Sequence, residues 1–259
     1  MLPEEFGAQI NVRYPFTPTK HRPLEYTEQM RMLWIVILII MIFAGFQLVG
    51  LYRLKMSVSE YKQYWKNRAQ QEGEIVYVAL GDSAAQSVGA SRAELGYVGL
   101  LTSHIEQATN KKVRVVNLSV SGAKVKDVLA EQLPQVKSYK PDIITVEIGG
   151  NNVASGFDAQ TFKKEYTELA GVLPRGTIVS NIPYFGGRIR NNDQAIEASK
   201  IIETLASEHN LDFVDLQTPT KANQSYLNYA SDLFHPSDRS YRLWEQEFFK
   251  LVEPKITKL

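Results

Sequence analysis

Five short runs of apolar residues, each followed by an amphipathic stretch, set the strongest limit on what this chain can fold into. IVYVAL at 75–80, VRVVNL at 113–118, DIITVEI at 142–148, TIVSNI at 177–182 and DFVDL at 212–216 are continuous rather than alternating in their hydrophobicity. A strand with one face in water alternates with a period of two, so continuous runs imply burial on both faces. Between and after them lie segments of helical periodicity near 94–109, 124–139, 159–172, 191–209 and 238–252. Strands that alternate with helices imply a parallel sheet, because a parallel neighbour is reached only through a long crossover. The expectation is an α/β protein: a three-layer sandwich with one five-stranded parallel sheet, formed by residues 74–259 as a single domain.

A different segment precedes it. Met32 to Leu51 (MLWIVILIIMIFAGFQLVGL) carries no charge and one strongly polar side chain, Gln47. A helix of about 20 residues spans a hydrocarbon core of roughly 30 Å. Trp34 and Tyr52 lie near its ends, where amphipathic rings favour the headgroup level. A buried core helix is rarely apolar on every face for this length. The apolar region of a cleaved signal peptide is usually shorter and nearer the N-terminus, although Ser57-Val58-Ser59 offers small residues for a peptidase. The expectation is a single-pass membrane anchor at 32–51, with a flexible tail at 1–31 marked by Pro3, Pro15, Pro18 and Pro23. Residues 52–73 form a helical juxtamembrane linker in which Met56, Tyr61, Tyr64, Trp65 and Arg68 share one face and Gly73 closes the helix.

Orientation is argued both ways. Lys20, Arg22 and Arg31 precede the segment, while Arg53, Lys55, Lys62, Lys66 and Arg68 follow it, a bias that keeps the following side in the cytoplasm. Long domains nevertheless translocate largely regardless of charge, and an extracytoplasmic domain is the expectation.

With 29 basic and 28 acidic residues the net charge is +1, so no basic surface argues for nucleic acid. The chain has no cysteine, which excludes disulfides, thiolate catalysis and Cys-ligated zinc.

Ligands of open parallel sheets bind beyond the carboxyl ends of the strands, so the chemistry is sought there. Gly81-Asp82-Ser83 follows the first strand, Ser119-Val120-Ser121-Gly122 the second, Gly149-Gly150-Asn151-Asn152 the third, and Asp232-Leu233-Phe234-His235-Pro236 precedes the last helix. A serine hydroxyl is a weak nucleophile and needs a base. Of the four histidines, His21 is in the tail and His104 and His209 lie in predicted helices, which leaves His235 on an edge loop. Asp232 can accept from the other ring nitrogen and stabilise the imidazolium. Asp82, adjacent to Ser83, is better suited to bracing the turn. A tetrahedral oxyanion needs preorganised donors, for which the backbone N–H groups of Ser83 and Gly122 and the amide of Asn151 are candidates. Each block alone is an ordinary turn; four in order at strand ends are not.

At these residues the sequence closely resembles the SGNH hydrolases, also called GDSL-type esterases and lipases. Gly81-Asp82-Ser83 is similar to the family's nucleophile block, Asn117 to Gly122 to its second, Gly149 to Asn152 to its Gly-x-Asn-Asp block, and Asp232-x-x-His235-Pro236 to its last. The resemblance covers 74–259 and none of the first 73 residues. It implies a flavodoxin-like α/β/α sandwich, Ser83 as nucleophile, His235 and Asp232 as base and acid, and Ser83, Gly122 and Asn151 as the oxyanion hole. No cofactor and no metal are expected. Asn152 replaces the usual Asp, Ala84 the usual Leu, and Ser240 stands where many relatives have Gly.

The expected function is a serine esterase that cleaves acyl esters through an acyl-enzyme, of the lipase, lysophospholipase or thioesterase kind. An alternative is a carbohydrate O-acetyl esterase of envelope glycans, and a third is an inactive binding module, which would be expected to have lost one of Ser83, His235 or Asn151. A phosphate or cofactor binder is disfavoured because GDSAAQSVG matches neither phosphate-loop pattern. One edge histidine makes a poor two-metal site. Tyr184, Phe185 and Phe234 are candidates for an apolar acyl-binding surface, or ordinary core. Arg188 and Arg190 would meet an anionic head group or solvent. The expected partners are a small-molecule or lipid acyl ester and the membrane; the oligomeric state stays open.

Overall fold

The computed structural model describes residues 23–186 and 192–259, with side chains from residue 27 onward. Most of the expected tail, with Lys20 and Arg22, and the pair Arg188 and Arg190 lie outside the described residues. The chain divides into two compact units, Met1–Phe46 and Gln47–Leu259.

Helix α1 (Pro23–Arg68) is continuous over 46 residues. It opens on a proline, whose fixed φ suits a first helical turn, and no break separates the expected anchor from the expected linker. Met32, Leu33, Trp34, Ile35, Ile39, Ile40 and Phe43 are all exposed. By length and composition α1 is a helix able to cross a membrane, a property that signal sequences near an N-terminus share.

Within Gln47–Leu259 the remainder of α1 packs as part of the domain. Tyr61 and Trp65 are buried among Tyr77, Ala85, Tyr97 and Trp244. Tyr61 Oη donates to the Ala90 carbonyl at 2.9 Å, and Trp65 Nε1 to the Gln86 carbonyl at 3.0 Å. Of the face read from the sequence, Tyr61 and Trp65 are therefore core residues and Tyr64 packs partly buried against them, while Met56 is exposed. Gly73 lies beyond the helix end, and a Cβ there would sit 2.1 Å from the Arg114 nitrogen. It permits the backbone to pass close to the next strand.

The sheet consists of β1 (Ile75–Gly81), β2 (Val113–Asn117), β3 (Ile143–Glu147), β4 (Ile178–Ser180) and β5 (Asp212–Val214), in the order β2-β1-β3-β4-β5. Every pairing is parallel. The five-stranded α/β expectation is met. The helices are α2 (Tyr97–Thr109), α3 (Val125–Asp127), α4 (Leu133–Val136), α5 (Gly150–Ala154), α6 (Ala159–Val172), α7 (Asn192–Glu208), α8 (Gln217–Ala222) and α9 (Asp238–Ile256). Alternation along β1 divides the core. Tyr77 and Ala79 pack with α1, α2 and α9, whereas Val78 and Leu80 pack with α6 and α7.

Two differences from the sequence expectation have local causes. The helix expected at 124–139 is broken into α3, a wider π-type turn at Val128–Gln132, and α4. Pro134 has no N–H for the carbonyl four residues earlier, so the regular ladder cannot continue. The fourth strand stops at Ser180 because the Asn181 side chain takes over. Its Oδ1 accepts from the Leu216 and Gln217 nitrogens at 2.7 and 3.0 Å. Helix α5, helix α8 and the turn at Tyr226–Asn228 were not expected; each is too short to show a period.

Candidate active site

Strand order reverses its direction of growth at β1, so β2 and β3 flank it and a crevice opens beyond their carboxyl ends. Gly81 ends β1 at φ +147, and a Cβ there would lie 2.2 Å from the Glu147 carbonyl oxygen. The Gln132 side chain holds this residue from both sides, accepting from its N–H at 2.9 Å and donating to its carbonyl at 2.8 Å. The chain then turns sharply. Asp82 Oδ1 accepts from the Ala84 nitrogen at 3.0 Å, and the Val88 nitrogen donates to the Ser83 carbonyl at 2.9 Å. Asp82 thus braces the turn that presents Ser83.

His235 arrives on a hairpin-like loop. Tyr229 and Pro236 form an antiparallel bridge, and the Ala230 nitrogen donates to the His235 carbonyl at 2.8 Å. Within this loop Asp232 Oδ1 accepts from the nitrogens of Phe234 and His235 at 2.9 and 3.0 Å. Its Oδ2 meets His235 Nδ1 at 2.7 Å, and His235 Nε2 lies 3.0 Å from Ser83 Oγ. Residues 152 positions apart are thereby brought into one hydrogen-bonded chain. Burial pushes the Asp232 pKa up, but the hydrogen bonds from His235 and Phe234 and the nearby imidazole outweigh it, and the net shift is downward. The carboxylate stays ionised where an imidazolium would form beside it.

Beyond β2, Asn117 Nδ2 donates to the Ala85 carbonyl at 2.7 Å, and its Oδ1 accepts from the nitrogen and hydroxyl of Ser119. Gly122 follows at φ +85, with open space where a Cβ would stand. Among the described residues the N–H groups of Ser83 and Gly122 donate to no protein acceptor. Asn151, at the start of α5, is placed against Asp82. Its Nδ2 donates to Asp82 Oδ2 at 2.9 Å and to the Ala123 carbonyl at 3.1 Å, so both amide hydrogens are engaged. The structure thus leaves two backbone donors free and the third candidate occupied. Asn152, which stands where the family has Asp, accepts from the Val125 nitrogen at 3.1 Å.

A cavity of about 40 Å³ adjoins Ser83 and His235. Tyr184, Phe185 and Phe234 all line it, together with Tyr229 and Trp244. Phe185 and Phe234 stack at 5.9 Å between ring centroids. Two features of its lining escaped the sequence reading: Glu147 Oε2 and Trp244 Nε1 are buried without a hydrogen-bond partner among the described residues. Burial, then the neighbouring Asp82, pushes the Glu147 carboxyl well up. Burial also raises Asp82 to about 6, against the opposing effects of the Ala84 N–H, His235 and Asn151. A carboxyl at the end of a buried strand was the one signal for Glu147. Nothing in the order of residues pointed to Gln132. Among the described residues no cluster of three His, Asp or Glu side chains could hold a metal.

Comparisons with known proteins bear on the fold and the family. The sequence model of the GDSL-like lipase/acylhydrolase family matches residues 79–243, more than half of the chain. An acetylxylan esterase of Geobacillus stearothermophilus is 26% identical over 203 residues, 71% of this chain and 87% of that protein. Among solved structures, a lipase/acylhydrolase from Enterococcus faecalis superposes with a TM-score of 0.60 at 22% identity, over 70% of this chain and 95% of that one. An alpha/beta hydrolase from the metagenome of Lake Arreo does so with a TM-score of 0.57 at 21% identity, over 70% and 96%. The match over residues 79–243, on this sheet, places the chain in the GDSL-like lipase/acylhydrolase family, as an esterase that hydrolyses carboxylic esters.

Proposed function

We propose that Ser83, His235 and Asp232 form a catalytic triad that hydrolyses a short-chain acyl ester. The observation that carries the reading is the unbroken hydrogen-bonded chain from Ser83 Oγ through His235 to Asp232. Ser83 Oγ adds to the ester carbonyl carbon while His235 Nε2 takes its proton. The carbonyl oxygen becomes an oxyanion and receives the N–H groups of Ser83 and Gly122. Asn151 joins as third donor by turning from the Ala123 carbonyl, the longer of its two bonds. The tetrahedral intermediate collapses, His235 returns the proton to the departing alcohol, and the acyl group remains on Ser83. Water, deprotonated by His235, then attacks the acyl carbon, and the carboxylic acid leaves as Ser83 regains its proton.

Cavity size argues for the acyl group. A cavity needs roughly 10–15 Å³ to hold one water. A cavity of about 40 Å³ walled by Phe185, Phe234 and Tyr184 thus supports a small acyl group such as acetyl beside Ser83. The relative named as an acetylxylan esterase supports the same choice. A fatty-acyl ester is the second reading, favoured by the apolar helix. That helix, at 32–51, serves in this proposal as a membrane anchor, with residues 1–31 as a tail, 52–73 as a linker whose later turns dock on the domain, and the hydrolase domain at 74–259 outside the cytoplasm.

Labelling of the full chain with a fluorophosphonate probe tests the nucleophile. The expected result is labelling that Ser83→Ala and His235→Ala abolish; equal labelling of the Ser83→Ala protein would discard the triad. Turnover of p-nitrophenyl esters should fall from acetate to octanoate, and a rise would favour the fatty-acyl reading. Protease access in intact cells decides the side of the membrane.

A further inference from the structure

We propose that the cavity beside Ser83 receives an acyl group with a hydroxyl on its α-carbon, held by Trp244 Nε1 and the Glu147 carboxyl, so that the substrate is a short α-hydroxyacyl ester such as a glycolate. The inference rests on the hydrolase reading above and adds what the acyl group carries.

Glu147 and Trp244 come from two regular elements. Glu147 is the last residue of β3, on the same face of the sheet as Thr145, whose Oγ1 lies 2.8 Å from Tyr77 Oη. Trp244 lies near the start of α9. Each is 3% exposed, and both line the cavity that Ser83 and His235 also line. They share neighbours as well. The Trp244 ring lies 6.2 Å from the Tyr97 ring and 5.6 Å from the Tyr241 ring. Burial foremost, with Glu147 among the further causes, pushes the hydroxyls of the same two tyrosines up. A subsite held by a strand end and a long helix keeps its geometry better than one built on loops.

Nine buried side-chain nitrogen or oxygen atoms lack a hydrogen-bond partner among the described residues, and Glu147 Oε2 and Trp244 Nε1 are the two that belong to this cavity's lining. Other polar side chains there already have partners. Thr220 Oγ1 donates to the Leu216 carbonyl at 2.5 Å, Ser240 Oγ to the Asn228 carbonyl at 2.8 Å, and Tyr229 Oη to the Tyr184 carbonyl at 2.9 Å. Asp82 is held by the Ala84 nitrogen and by Asn151. A buried polar group left without a partner is costly, so two of them in one cavity wall mark where a polar atom belongs. Burial, then Asp82, pushes the Glu147 carboxyl well up, toward the neutral form, which both donates and accepts. The pair thus offers an indole N–H and a carboxyl, the complement of one hydroxyl. A hydroxyl on the acyl α-carbon accepts from Trp244 Nε1 and donates to Glu147. A methyl in its place displaces water and leaves both groups bare. An ammonium brings only donors and leaves the indole N–H unmet. Ser83 takes up the α-hydroxyacyl group, the alcohol departs, and water releases the α-hydroxy acid.

Kinetics of the full chain on p-nitrophenyl glycolate, propionate, glycinate and acetate test this, each rate divided by that of the same ester in hydroxide alone. Glycolate and propionate differ by a hydroxyl in place of a methyl. The unmodified chain should favour glycolate about 100-fold in kcat/KM, because a site built to bond a hydroxyl rejects the analogue that lacks it. Trp244→Phe keeps a ring and removes the donor; Glu147→Met keeps the length and removes the carboxyl. Each should bring the glycolate-to-propionate ratio below about 10, since one of the two bonds is lost. Glu147→Gln still donates and accepts, and should retain most of the ratio. A purely structural loss lowers both esters together, so a ratio unmoved by Trp244→Phe and by Glu147→Met overturns the proposal. A ratio near one in the unmodified chain does the same, as does a preference for glycinate, which would assign the pair to a cation. Should Glu147→Met fail to fold, the Trp244→Phe ratio decides. Cleavage of acetate without a preference for glycolate defeats this inference alone. Failure to cleave any of the four esters defeats the hydrolase reading, and this inference with it.

Discussion

Asp82 Oδ2 and Asn151 Nδ2 lie 2.9 Å apart, which ties the residue before Ser83 to the amide at the start of α5. A buried acid thereby sets the direction of a candidate oxyanion donor. Asp82→Asn places an amide against an amide and should lower kcat about 10- to 100-fold with little change in KM, because the donor acts only in the transition state. Steady-state kinetics on a soluble ester check this, and an unchanged kcat would remove Asp82 from any positioning role. Stability carries a second signature. Burial raises the Asp82 pKa from 3.8 to about 6, so between those values the folded state holds a proton that the unfolded state has lost. Stability therefore falls as pH rises through that window, and Glu147 acts in the same direction. In the Asp82→Asn protein, melting temperature should change less between pH 4 and 6.5.

Phe185 is buried and closes the cavity beside Ser83, stacked on Phe234. Phe185→Ala removes that wall. The ratio of butyrate to acetate turnover is expected to rise about tenfold, since one or two methylenes in an apolar pocket are worth that much. A ratio that stays put would mean that the acyl group lies elsewhere.

Trp65 is 3% exposed and donates across to the Gln86 carbonyl. Trp65→Ala should destabilise the domain by about 3–5 kcal/mol, the usual cost of emptying an indole-sized site. A fragment beginning at residue 74 lacks Tyr61 as well and should unfold at lower urea than one beginning at residue 54. Equal midpoints would show that α1 contributes nothing to the core.

Gly81→Ala combines a left-sided backbone angle with a Cβ 2.2 Å from a carbonyl oxygen. Neither can relax without moving β1 against β3. A loss of about 2–4 kcal/mol is expected in denaturant titration, together with a drop in activity as Ser83 shifts.

Much of this was legible in the linear order of residues, for physical reasons. A continuous apolar run has only one stable setting in a sandwich, so the five strands could be read directly, and parallel pairing followed from the helices between them. Gly-Asp-Ser, Gly-Gly-Asn-Asn and Asp-x-x-His-Pro are local turn sequences, and a turn needs no distant partner to be recognised. A glycine in a turn at the sheet edge, such as Gly81 or Gly122, suits a backbone angle that other residues resist.

What only the tertiary structure decided is everything that depends on distance between elements far apart in the chain. Gln132 grips Gly81 from a distorted helix whose distortion originates in Pro134. Asn151 is held by Asp82, which no spacing of 69 residues could announce. Tyr61 and Trp65 have the same helical period whether they face a membrane, solvent or a core; only their burial against Tyr97 and Trp244 distinguishes these. Periodicity states which side chains share a face, while the partner of that face is a property of the folded chain.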